Sequence, residues 1–162
     1  MISEQLFKQT WDFLRKAIRK LLVYDLPAGH EVGVVLFDED SSVKLPLTPT
    51  PSALEKRQRL ATASLPRNPS RIAPSQKCIL CGLQEAVNML QEGSEKSSAG
   101  GVIILISSGT PVPLSKYDSG KLEQEVRRGK IQLVPIMYPV TTRNPQPTPG
   151  VEHLAEISGR CS

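Results

Sequence analysis

Cys78 and Cys81 stand as C-I-L-C near the middle of the chain, and a third cysteine, Cys161, is the penultimate residue. Two thiols at this spacing can work as a redox pair, because a C-x-x-C at a helix start lowers the pKa of its first thiol. Thioredoxin-like motifs follow a strand directly, whereas Pro66 to Ser75 is a proline-rich loop. Packing of at least one thiol in the core is the simpler reading, with a Cys78/Cys81 redox pair as its alternative. A zinc site lacks ligands, since no second C-x-x-C and no paired histidines follow. Three cysteines leave at least one unpaired within the chain, and the spacing alone leaves their pairing open.

The oxygen-bearing residues are no richer in chemistry. Asp38, Glu39 and Asp40 form an acidic run that could meet a cation, although acids in a hairpin turn are most simply solvated. Ser107 and Ser108 follow an apolar run, as a hydrolase nucleophile does, yet G-x-S-x-G is missing and no partnering His–acid pair stands out. His30 and His153 are the only histidines, and neither lies in an H-E-x-x-H pattern. No catalytic set and no cofactor site emerges, so the chain reads as a non-enzyme.

The elements that would position these residues are organised around Gly101–Ser108, G-V-I-I-L-I-S-S. Val102 to Ile106 is an unbroken β-branched and leucine run, the pattern of a parallel strand buried on both faces. Small residues follow at its carboxyl end, where open α/β sheets bind ligands. Upstream, Ser3 to Tyr24 predicts a helix, with Phe7, Trp11, Leu14, Ile18 and Leu21 on one face and Lys8, Arg15, Lys16, Arg19 and Lys20 mostly off it. Glu31–Asp38 reads as a second buried strand, turning at Asp38–Ser41 into an alternating edge strand, Ser42–Leu47.

Ser52 and Glu55 form a capping box for a short helix to about Ala63, and Ser75 can cap another to about Gln91. Tyr117 to Arg128 predicts a helix stopped by Gly129, and Ile131–Val140 a strand that Pro135 makes irregular or places at an edge. Thr148 and Pro149 open a last helix ending near Gly159. Helices alternating with apolar strands give an α/β three-layer fold, a mostly parallel sheet with an antiparallel edge strand.

Composition sets the outer limits. The 162 residues predict one domain, and 14 prolines with few aromatics predict much loop. The net charge of +4 is spread among both signs, which disfavours a nucleic-acid surface. No stretch is long and apolar enough for a membrane span, and the N-terminus lacks the pattern of a signal peptide.

The order helix, V-G-V-V-L-F-D, edge strand, capped helix, L-P-R-N-P-S, C-I-L-C-G-L-Q-E-A-V and G-G-V-I-I-L-I-S-S-G resembles a von Willebrand factor A domain. More narrowly, it resembles the one in calcium-activated chloride channel regulators of invertebrate type, over nearly the whole chain. The resemblance implies a Rossmann-like fold over residues 1–162, truncated before its first strand and near its last. It also implies an extracellular or cell-surface protein-interaction role, modulating chloride conductance through contacts with a channel or with other domains of the parent chain. A generic A-type adhesion module is the neighbouring alternative.

The family's metal-ion-dependent adhesion site draws oxygen ligands from three loops. Its Asp-x-Ser-x-Ser element would precede Met1. Its threonine falls in Gln76-Lys77-Cys78, nearest Lys77, and its Thr-Asp-Gly aspartate at Ser107, Ser108 and Gly109. Magnesium requires hard oxygen ligands, normally with a carboxylate. A lysine and two hydroxyls predict a degenerate site without metal, the Lys77 amine standing in the cation's place. In the family the first strand lies between those matching Glu31–Asp38 and Gly101–Ser108. The expectation is that these two strands either pair directly as parallel neighbours or flank a vacant slot.

Overall fold

The computed structural model describes residues 4–68, 78–93, 100–107, 116–137 and 150–158. The first helix, α1 (Glu4–Lys20), does not run to Tyr24 in α geometry. It widens into a π-helical turn, Leu21–Asp25, closed by Leu26 N–H on the Leu21 carbonyl at 3.0 Å. The wider turn buries Leu22 and Val23 together against Ala61 and Leu65.

The hairpin forms as the alternation predicts, with β1 (Glu31–Phe37) antiparallel to β2 (Ser41–Pro49), the second strand longer than its apolar alternation. Its register shifts around Val34, beside Gly33, where an added Cβ would displace the flexible end of the Met89 side chain. The acidic turn folds on itself. Asp40 N–H donates to Asp38 Oδ1 at 3.2 Å and Ser41 N–H to Asp40 Oδ1 at 2.8 Å.

Helix α2 (Leu54–Ser64) follows, but the expected capping box does not form. Ala53 holds the cap position with no side-chain bond, leaving Ser52 one residue outside, and Glu55 pairs with Arg59. The buried polar anchor is Arg57 instead. Its Nε donates to the Pro51 carbonyl at 2.5 Å, and its Nη1 to the carbonyls of Leu26 at 2.6 Å and Val23 at 3.4 Å. One guanidinium thereby satisfies carbonyls at the end of the π turn and before α2, groups costly to bury unpaired.

Helix α3 (Ile79–Gly93) is buried through Ile79, Leu83 and Val87, and packs on β1, β2 and β3 (Val102–Ser107). Helix α4 (Lys116–Arg128) leads to β4 (Gln132–Met137), which pairs parallel with β3 in unbroken register from Val102↔Gln132 to Ser107↔Met137. The helix stops at Arg128, just before Gly129, as expected. Gly129 N–H closes the helix on the Glu125 carbonyl, and the left-handed residue is Lys130, at φ 51°. Pro135 sits on a strand edge, as its missing N–H requires. Helix α5 (Val151–Ile157) starts from Gly150, φ 96°, while Thr148 and Pro149 lie outside the described residues.

Two expectations are corrected here. The architecture is mixed α/β, but among the described residues the strands form two two-stranded sheets, β1–β2 antiparallel and β3–β4 parallel, rather than one mostly parallel sheet. The apolar run is a strand, yet only one of its faces is buried. Ile103 and Leu105 join a core with Leu83, Val87, Leu122 and Val126. Val102 and Ile104 remain 57% and 48% exposed, because among the described residues helices cover that part of the sheet from one side only.

Close approach of α3 to β1 is set by Gly82, where an added Cβ would lie 2.7 Å from Cδ1 of Phe37. Gly82→Val must push the ring or the helix aside, so it is expected to destabilise the protein by about 1–3 kcal/mol. An unchanged urea midpoint in the variant would show that the contact does not set the helix–strand spacing.

Candidate functional site

A cleft of about 1780 Å³ is lined by residues of both sheets. Every residue from Val32 to Phe37 lines it, as does every residue from Val102 to Ser107. Successive side chains of a strand point to opposite faces. A cleft touched by consecutive residues of both strands therefore runs along their edges. Among the described residues β1 is laddered only to β2, and β3 only to β4, so each presents its other edge to this space.

Helix α3 meets both strands. Gly82, near its start, meets Phe37 at the carboxyl end of β1, while Met89, near its end, meets Gly33. Leu90 meets Gly101, just before β3. β1 runs opposite to α3, and β3 begins beside the end of α3. Leu83, Ala86 and Leu90 of α3 and Trp11, Leu14 and Ile18 of α1 add apolar lining. Trp11 is held by its indole N–H on the Pro66 carbonyl at 3.2 Å. Among the described residues the two strands both line this cleft and do not pair directly with each other, direct pairing being the first of the two arrangements expected.

Cys78 N–H donates to the Asp38 carbonyl at 2.5 Å, tying the start of α3 to the end of β1. Cys78 and Cys81 are joined as a disulfide, and Cys81 N–H also meets the Cys78 sulfur at 3.1 Å. Ser107 is buried at the end of β3. Lys77, Ser108 and Cys161 lie outside the described residues, so the Lys77 amine is not placed.

The remaining candidates stay apart from any shared chemistry. Asp38 and Asp40 spend carboxylate oxygens on the hairpin turn. His153 stands exposed, 3.6 Å from a Glu123 carboxylate that also binds Arg127 at 2.9 Å. His30 contributes its backbone, its carbonyl accepting from Thr50 N–H at 2.8 Å. Among the described residues no group of three or more His, Cys, Asp or Glu could hold a metal ion. Lys77, Ser107 and Ser108 offer an ammonium and two hydroxyls, a set without the carboxylate that magnesium normally requires.

Sequence reasoning passed over Arg57 and Ser158. Arg57 carried little signal, being one of two arginines, with Arg59, on a short helix following two prolines. Ser158 carried none, because its role depends on where α5 docks.

No family model matches the chain, and no curated protein matches it. Among solved structures it resembles the crystal structure of the conserved hypothetical protein BatB from Bacteroides thetaiotaomicron. The TM-score is 0.53 at 17% identity, covering 98% of this chain and 82% of that one. At that identity the likeness carries the fold alone. It agrees with a von Willebrand factor A-like architecture and carries nothing about chloride channel regulators.

The donor chemistry gives a prediction. Calorimetric titration of the purified chain with magnesium or calcium is expected to show binding no tighter than about millimolar, weaker than cytosolic sensor sites. A micromolar site would overturn the degenerate reading and direct attention to Asp38, Glu39 and Asp40.

Proposed function

We propose that the chain is a non-enzymatic protein-interaction domain of von Willebrand factor A type. The observation that carries this reading is the apolar cleft lined by β1 and β3, lacking a convergent catalytic set among the described residues. Apolar concavities and exposed apolar surface are where proteins bind ligands and partners.

The finer reading places the domain with calcium-activated chloride channel regulators, at the cell surface, acting on chloride conductance through contact with a channel or with other domains of its parent chain. It rests on the order of motifs from V-G-V-V-L-F-D to G-G-V-I-I-L-I-S-S-G. Among the described residues no helix is long and apolar enough to cross a membrane, in keeping with action through contact. Applied outside cells that carry a calcium-activated chloride channel, the folded chain is expected to change whole-cell chloride current at least twofold. Unchanged current would remove the finer reading and leave the interaction domain.

A second reading is favoured by one observation, the Cys78–Cys81 bridge beside the start of α3. A disulfide there suits exchange with an external dithiol, which would reduce the bridge to two thiols as it is itself oxidised. For an interaction domain the bridge is structural, and the chain is expected not to accelerate reduction of insulin by dithiothreitol. A rate enhancement abolished by Cys78→Ser would favour the redox protein instead.

A further inference from the structure

We infer that the seam between α1 and α2 is a binding site for a phosphate group, held by the guanidinium groups of Arg15 and Arg19. The inference goes beyond the interaction reading and does not depend on it.

The two helices meet along one flank of α1. Trp11, Arg15 and Arg19 recur at four-residue steps, which places them one above another on that flank. At one end the Trp11 indole N–H donates to the Pro66 carbonyl at 3.2 Å. At the other, Arg19 Nη1 donates to Thr62 Oγ1 at 3.0 Å. Both contacts fall on the last turn of α2 and the residues just after it, α2 ending at Ser64. Arg15 therefore sits midway between two fixed points of the seam.

The Arg15 side chain has nothing to hold there. Its Nε is closed off from solvent and has no hydrogen-bond partner. Among the described residues no carboxylate pairs with Arg15 or with Arg19. A buried N–H left unpaired is costly, and more so on a charged group. Two like charges one helical turn apart also repel. A single anion between the two arginines relieves both.

The donors select phosphate among anions. Arginine presents its five N–H donors as a planar fork that matches phosphate oxygens in pairs. Among the described residues Arg15 keeps its whole fork, and Arg19 spends one donor on Thr62. Two forks from successive turns meet a tetrahedral group with oxygens on every side, whereas a planar carboxylate fills one fork. Thr62 is a positioning residue. Its hydroxyl donates to the Gln58 carbonyl at 2.9 Å while accepting from Arg19, and so fixes that guanidinium. Arg59, one turn earlier on α2, is engaged by Glu55. The carboxyl end of α2 contributes about half a negative charge, which two full positive charges outweigh.

The test uses the whole chain, with its single tryptophan, Trp11, one turn before Arg15, as the reporter. Titration with inorganic phosphate at constant ionic strength is expected to change Trp11 fluorescence saturably, with a Kd of about 1 mM or tighter. Sodium chloride over the same range should leave it unchanged. Arg15→Lys keeps the charge but loses the fork, and is expected to weaken binding about tenfold. Arg19→Lys, at the exposed end of the seam, gives the same reading if Arg15→Lys does not fold. Thr62→Val, which releases Arg19, is expected to weaken binding about threefold. Sedimentation with vesicles containing phosphatidic acid, against phosphatidylcholine alone, tells the sources apart. Binding to the acidic vesicles that is lost in Arg15→Lys assigns the phosphate to a lipid headgroup, and phosphate binding without vesicle binding assigns it to a soluble ligand. No saturable change with phosphate, an equal change with chloride, or unaltered affinity in the lysine variants would overturn the inference.

Discussion

A peptide group taken out of water must find a hydrogen-bond partner, and among the described residues the strands meet that requirement in two separate pairs, β1 with β2 and β3 with β4, on either side of a wide cleft. An unpaired buried group costs about 1–3 kcal/mol, so several along one strand rival the stability of a whole domain, about 5–15 kcal/mol. The molecule keeps the two pairs apart instead of closing β1 onto β3. Direct pairing would bring them to about 4.8 Å, and the helices packed on either sheet would have to travel with them.

Helix α3 is what holds the two halves at their separation. It presses Gly82 against Phe37 and Met89 against Gly33 on one side, and rests Leu90 on Gly101 on the other. Its start is bonded to the end of β1 through Cys78 and Asp38 and closed locally by the disulfide to Cys81. The apolar interior is correspondingly divided. One cluster gathers α3, α4, α5 and the parallel pair, and the other gathers the π turn and α2 around Ala61. Arg57 serves the second cluster, where no sheet is available to absorb the carbonyls of Val23, Leu26 and Pro51.

Most of the elements were legible in the sequence because periodicity is a local property. The alternation after Asp40 marked an edge strand, the 4–3 spacing from Trp11 to Ile18 marked a helix, and the run from Val102 to Ile106 marked a strand. Relations between elements were less legible. The same run implied cover on both faces, yet whether helices reach Val102 and Ile104 depends on packing that no local pattern encodes. The capping box failed because Ser52-x-x-Glu55 also fits a chain whose helix starts one residue later. Of the candidate site, the thiol pair was legible as a pair but not as bonded. Ser107 could be placed at a strand end, and the acidic turn resolved into backbone bonds that its sequence permits without requiring.

The far side of the parallel pair is built in the opposite way. Leu133 N–H donates to the Ser158 hydroxyl at 2.8 Å, and that hydroxyl also meets the Ala155 carbonyl at 2.8 Å. Two residues along, on the same side of β4, Pro135 has no N–H to give. Two successive donors are thus removed from the outer margin of β4, by a serine at the end of α5 and by a proline ring. Fibril growth by strand stacking depends on an uninterrupted row of such donors. The row of donors along that margin is interrupted at Leu133 and Pro135, the kind of interruption that makes a strand edge a poor template for stacking.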